Sequence, residues 1–145
     1  MTLGPLEYLV IGFDGDRFDG SIAREIEKVV DRGIIRLVDV VFITRRADGS
    51  ADIVELSNTD EPRFASFAPL LAQLRALFTP EDLEEIADSL PLGSAGLVLR
   101  FEHRWSEDLK DAIGASGGFL VRREVIPPEV LAEVSAELEA EAASA

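Results

Sequence analysis

Short apolar runs separated by polar turns organise this chain, and the period of the runs changes along it. LEYLVIGF (6–13) is brief, apolar and rich in β-formers, which predicts a buried strand. After the polar turn DGDRFDG, Ile22, Ile26, Val29 and Val30 recur on one helical face. Asp19 or Ser21 can accept from the free N–H groups at that helix start, and Gly33 can take the left-handed conformation that ends it. IIRLVDVVFITRR (34–46) predicts a second strand, and Asp48-Gly49 a hairpin turn into the shorter strand ADIVEL (51–56). A polar linker, 57–63, leads to Phe64, Phe67, Leu71, Leu74 and Phe78, spaced as a helix that Pro69 starts or kinks.

Thr79-Pro80-Glu81-Asp82 is a helix start signal: Thr79 caps, Pro80 fills the first turn and Asp82 closes the capping box. Leu83, Ile86 and Leu90 form the inner face and Pro91 stops the helix. AGLVLRFEHR (95–104) predicts a third long strand. Ser106 then caps a helix with Leu109, Ala112 and Ile113 on its apolar face, ended by Gly117-Gly118. FLVRREVI (119–126) predicts a last strand. Pro127-Pro128 opens a final helix with Val130, Leu131, Val134 and Leu138 on one side, acidic residues on the other, and a tail expected to fray.

Two stretches of this pattern repeat. LVIGFDGDRF, a helix, Gly33 and IIRLVDVV match LVLRFEHRW, a helix, Gly117-Gly118 and FLVRREVI. Each first strand ends in Phe plus an acid, Phe13-Asp14 and Phe101-Glu102, and each turn then has Arg plus an aromatic, Arg17-Phe18 and Arg104-Trp105. Two strand–helix–strand units in one sheet predict an α+β fold of the ferredoxin-like, split βαβ kind. Two unrelated βαβ units are the alternative. The Phe-ending strands should be central, adjacent and antiparallel, with 51–56 at an edge. Their polar ends then point opposite ways, roughly 25 Å apart for strands of about eight residues, so DGDRFDG and EHRW cannot form one site. The expected division is a single domain over 1–126 and a C-terminal acidic helix over 127–145.

Strands 6–13 and 37–43 are apolar on both faces, whereas a sheet with helices on one side should be polar on the other. Something must cover the second face: the C-terminal helix or a second copy of the chain. A homodimer is the expectation.

Composition narrows the functions. The 145 residues, 47% hydrophobic and 29% charged, suit one soluble domain with a real core. No apolar run approaches the roughly 20 residues of a membrane span, and MTLGPLEYLV lacks the basic start of a secretory signal. The absence of Cys removes disulfides, thiolate nucleophiles and cysteine metal sites, and fits a cytoplasmic protein. A net charge of −14 without a basic stripe argues against nucleic acid and anionic membranes as partners.

Candidate chemistry is sparse. Asp14, Asp16 and Glu25 stand at positions 1, 3 and 12 of a calcium loop. Phe18 and Asp19 then occupy positions 5 and 6, where a ligand and the turn glycine belong. Gly12, Gly15 and Gly20 match neither dinucleotide nor Walker spacing. No metal and no cofactor is expected. The single histidine, His103, would have to serve any Ser-His-Asp set, and no G-x-S-x-G occurs. The stretch FEHRW therefore holds the candidates: Glu102, His103 and Trp105, the last being the only tryptophan. One reading has Trp105 plugging the core, with Glu102 paired to Arg36 or Arg123 and His103 stacked beside Trp105. The other is a ligand pocket in which Glu102 or His103 moves a proton and Trp105 is a wall.

The chain also resembles a family of small bacterial proteins, domain of unknown function 6325. GPLEYLVIGFDGDRFDGSIA matches openings such as G-P-V-E-Y…F-P-G-N-R-F-x-G-E-I, and ADGSADIVELSN and TPEDLEEIADSLPLGSAGLVL match the middle. Relatives carry E-N-T-W-A where this chain has Glu102 to Ser106, and close like GGFLVRREVIPPE. The resemblance runs from residue 4 to about 131. It implies no activity, and Asn in place of His103 argues against a catalytic base there. The function expected is a non-enzymatic, self-associating module of regulatory kind. The alternatives are a small-molecule binder or enzyme near Glu102–Trp105, and a partner-binding protein that uses its C-terminal helix.

Overall fold

The computed structural model describes residues 6–15, 18, 20–122, 124 and 128–144. Asp16, Arg17, Asp19, Arg123 and Pro127, which enter the expectations above, lie outside the described residues, as does 125–126 of the expected last strand. Two compact units result, residues 1–111 and 112–145.

The first unit is built on a four-stranded sheet. Its elements are β1 (Leu6–Asp14), α1 (Ser21–Asp31), β2 (Ile35–Arg45), β3 (Ala51–Glu55), a 3-10 stretch (Pro62–Gln73), α2 (Pro80–Ser89), β4 (Ser94–His103) and the start of α3 (Arg104–Ala115). Strand order is β1-β4-β2-β3 and every pairing is antiparallel. β1 and β2 are thus parallel and joined by α1, with β4 inserted between them: a split βαβ in an α+β fold. β1 and β4 are adjacent, as their matching ends predicted, and β3 is an edge.

Three expectations need correction. The stretch FLVRREVI makes no strand among its described residues. A strand exists only through ladder bonds to a neighbour, and the described residues of this run make none. Consequently β1 is an edge strand and not a central one. The Phe64–Phe78 run is a 3-10 stretch followed by extended chain, because Pro69 lacks the N–H a continuous α-helix would use there, whereas Pro62 opens the stretch at a position that needs none.

Within the first unit α2 covers part of the second sheet face. One core joins Leu37, Val40, Phe42, Leu97 and Leu99 to α1 and to Phe64, Phe67 and Leu70 of the 3-10 stretch. Phe18 drops from the first turn into this core, 5.3–6.0 Å from the rings of Phe13, Phe42, Phe64 and Phe67. On the other face Val41, Ile43 and Val98 meet Ala87 of α2 and Leu90 directly after it. The segment between β3 and β4 therefore supplies covers for both faces.

Local signals explain the element ends. Thr79 Oγ1 accepts from the Asp82 N–H, and the Asp82 carboxylate accepts from the Thr79 N–H, the expected capping box. At the other end of α2, Arg45 Nη1 donates to the carbonyls of Ala87, Asp88 and Leu90, where a cation favours the helix terminus. Gly33, at φ 71, ends α1 as expected, but Gly20 caps its start without a side-chain bond and Ser21 is already helical. α3 begins at Arg104, ahead of Ser106, because the Ile34 carbonyl accepts from both Arg104 and Trp105 N–H groups at 3.0 and 3.1 Å.

In the second unit α3 ends at a glycine turn, with Gly117 at φ 83 and Gly118 N–H donating to the Ile113 carbonyl. α4 (Pro128–Ser144) comes next and stays helical through the tail expected to fray. Among the described residues no helix is long and apolar enough to cross a membrane.

Candidate functional site

The candidates Glu102, His103 and Trp105 lie where β4 passes directly into α3, and they do not form one pocket. Glu102 is buried and meets Arg36 on β2, directly opposite in register, at 3.4 Å. This is one of the two arginines the sequence offered it. The Arg36 Nε is itself buried, and its geometry toward Glu102 is that of a charge pair, not of an aligned hydrogen bond.

His103 points the other way. Trp105 Nε1–H donates to His103 Nδ1 at 3.2 Å, so the proton of the neutral ring sits on Nε2 and faces Glu7 Oε1, also at 3.2 Å. The His103 ring stands edge-on to both Phe101 and Trp105, at 5.3 and 6.0 Å. The stacking of His103 beside Trp105 was expected; Glu7, brought in by β1, was not. Trp105 does not plug the core: it is 48% exposed on the first turn of α3. A general base needs a free lone pair at a cavity. Here Nδ1 is taken by the indole and Nε2 by a carboxylate.

A second polar centre went unread in the sequence. Asp39 is fully buried at a bulge in β2, where the register to β4 shifts between Leu37 and Asp39. Its Oδ1 accepts from Val40 N–H at 2.9 Å, and its Oδ2 from Leu77 and Phe78 N–H at 3.0 and 3.4 Å. Arg100, opposite Asp39 on β4, donates to the Leu77 carbonyl at 3.4 Å and lays its guanidinium 4.2 Å over the Phe78 ring. The bulged Val38 offers its carbonyl to Arg75 N–H at 2.7 Å. These bonds hold the chain entering α2, and so hold the cover of the second face.

Glu55, paired opposite Val41, sits beside Asp39. Burial pushes its pKa up, and the adjoining Asp39 carboxyl, through a shared hydrogen bond and its negative charge, adds to the rise, to about 8. The Ser57 hydroxyl, 3.4 Å away, opposes the shift. At neutral pH Glu55 therefore keeps a proton and shares it with Asp39. A sealed carboxyl holding three main-chain N–H groups cannot reach a substrate, so the pair acts as a clamp. The signal for it was visible: Asp39 is the one acid inside LVDVVFI, apolar on both faces.

The third feature is an open apolar groove of about 620 Å³ between α1 and the β1–β4 pair, lined by Leu9, Ile11, Ile22, Val29, Leu99 and Phe101. The turn after β1 lies at the opposite end of the pair from Glu102, since Asp14 pairs with Ser94 and Leu6 with Glu102. The two turns therefore cannot share a site. Glu25, the would-be twelfth calcium ligand, pairs with Lys28 at 3.0 Å on the surface. Among the described residues no three His, Cys, Asp or Glu are grouped to hold a metal ion.

No curated protein and no solved structure matches the chain. A family model does, over residues 2–143, nearly the full length. The chain belongs to that family, described as a family of unknown function (DUF6325).

Proposed function

We propose that this protein is a non-enzymatic, self-associating α+β module that works as a homodimer. The observation that carries the reading is β1. It is apolar on both faces, is paired among the described residues only with β4, and leaves Leu6, Tyr8 and Leu9 46%, 57% and 44% exposed. Edge strands of this kind are normally shortened, charged, kinked or covered. The β1 run from Tyr8 to Phe13 carries no charge and no proline, and its register to β4 is unbroken. The full engagement of His103 and the sealing of Asp39 support the non-enzymatic part. Sedimentation of the full chain at micromolar concentration tests it: twice the 15.8 kDa chain mass is expected, and a monomer at every concentration refutes self-association.

A second reading rests on the groove. Its walls are almost wholly apolar, and Phe101 at its end touches the His103 ring. An apolar small molecule seated there would be sensed at Glu102, His103 and Trp105. Trp105 fluorescence that shifts saturably with a fatty acid or similar probe would favour it. The stripe Val130, Leu131, Val134 and Leu138 on α4, 43–60% exposed, is the surface a protein partner would use.

A further inference from the structure

A run of hydrogen bonds crosses the junction of β1, β4 and α3, and all of it lies inside the first unit. Trp105 Nε1–H donates to His103 Nδ1, and His103 Nε2–H donates to Glu7 Oε1, each at 3.2 Å. His103 is the only histidine of the chain and Trp105 the only tryptophan. The His103 side chain is 20% exposed, so its ring nitrogens depend on these two partners more than on water.

The two partners favour different protonation states. An indole N–H can only donate, so it needs a bare lone pair on Nδ1 and favours the neutral ring. A carboxylate can only accept, and it binds imidazolium more strongly than imidazole. When the ring takes up a proton, Nδ1 becomes a donor and faces another donor. The bond to Trp105 is then lost, while the bond to Glu7 becomes an ion pair.

The groups around the ring leave that choice to these two. From β1 the charge facing it is Glu7. From β2 the residue opposite is Ile35, and Arg36 beside it pairs with Glu102 on the other sheet face. From β4 Phe101 gives an edge-on ring contact. From α3 comes Trp105, while Arg104 is bonded through its main chain to Ile34. The Ile34 carbonyl accepts from both the Arg104 and Trp105 N–H groups, and a proton on His103 does not alter those bonds. Loss of the indole bond therefore frees a side chain and leaves the first turn of α3 in place.

We propose that His103 is a proton switch for Trp105. The neutral ring holds the indole at the end of β4; the protonated ring lets it go and closes on Glu7. The switch is independent of the self-association reading, since every group in it belongs to one chain.

One histidine and one tryptophan make the test direct, because each gives its own magnetic-resonance signal without overlap. The isotope-labelled full chain is titrated from about pH 8 to about pH 5, the range in which histidine side chains change charge. At the upper end the imidazole nitrogens should show the Nε2–H tautomer. On acidification the indole N–H signal should shift and exchange faster with water, with the same midpoint as the histidine. Trp105→Phe should move that midpoint to higher pH, because the partner of the neutral ring is gone. Glu7→Gln should move it to lower pH, because the partner of the charged ring is weakened. Far-UV circular dichroism at both ends of the range shows whether each variant is folded, and the wild-type tautomer and indole signals decide the matter if one is not. An Nδ1–H tautomer at the upper end overturns the switch. So does an indole signal that stays fixed while the histidine titrates. A midpoint that moves in Glu7→Gln but not in Trp105→Phe also overturns it, leaving a plain ion pair.

Discussion

Replacing Asp39 with alanine should cost about 3 kcal/mol, and the figure can be built from its partners. Three main-chain N–H groups, of Val40, Leu77 and Phe78, lose their acceptor. A buried donor left unpaired costs about 1–3 kcal/mol, giving a ceiling of roughly 9. Two terms lower it. Leu77 and Phe78 are only partly covered, so water can reach their N–H groups once the segment loosens. Removing the Asp39 charge also relieves part of the upward shift on Glu55, while burial, its larger cause, remains. About 3 kcal/mol remains, a large share of a typical 5–15 kcal/mol total. For a unit of this size that is a fall in melting temperature of about 10 °C. Urea and thermal melts followed by circular dichroism measure it. A carbon-detected titration of Glu55 supplies the second readout, with its pKa falling below about 8 as the Asp39 contribution is lost and the burial contribution stays. A loss under about 1 kcal/mol, or an unmoved Glu55, would refute the clamp.

Glu55→Gln should flatten the pH dependence of stability. The raised folded pKa means that the native state holds this proton more tightly than the unfolded chain, so wild-type stability falls as pH rises from about 5 through about 8. Because Glu55 is only half-buried, solvent screening limits the effect to about 2 kcal/mol, and chemical melts at pH 5 and pH 9 read it. Arg45→Met removes the donor to three carbonyls at the end of α2 and should cost about 1–2 kcal/mol by the same melts, with α2 the first element to lose amide protection. Each chain carries a net charge of −14, so two copies repel. Raising salt from 50 to 300 mM should tighten the dimer, and weakening with salt would point to an interface held by ion pairs.

Much of the sheet could be read from the chain because its signals were local and mutually consistent. The matching ends Phe13-Asp14 and Phe101-Glu102 put β1 beside β4, and Asp48-Gly49 put β3 at an edge. The Thr79–Asp82 box started α2. The features that escaped depended on tertiary placement. Apolar spacing identified Leu83, Ile86 and Leu90 as an inner face, but periodicity cannot say which layer a helix joins, so α2 was not recognised as the cover for Val41, Ile43 and Val98. Extended geometry carried Trp105 along the β4 strand. The Ile34 carbonyl instead turned the chain into α3 at Arg104. Asp39 was passed over because its role needs Leu77 and Phe78, far along the sequence. Of the candidate trio, the pairing of Glu102 and the contact of His103 with Trp105 were legible; the contribution of Glu7 was not, since no local signal links residues 7 and 103.

The two halves of the repeat differ in the segments attached after them, and that difference accounts for where the molecule is closed and where it is open. The first half leads into β3 and the segment 56–93, whose 3-10 stretch and α2 cover one sheet face each. Its turn aromatic, Phe18, is consequently packed among phenylalanines. The second half leads into the acidic helix α4, and its turn aromatic, Trp105, stays half exposed. Burial of apolar area is the main term favouring a fold, so in the proposed self-association the exposed apolar area of β1 would supply the drive, opposed by charge and by the entropy of joining two chains. The apolar stripe on β1 lies on the open side of this asymmetry. The closed side is fixed by the Asp39 clamp. Loosening the clamp should therefore cost stability without creating the dimer, and blocking the β1 edge should abolish the dimer without costing stability.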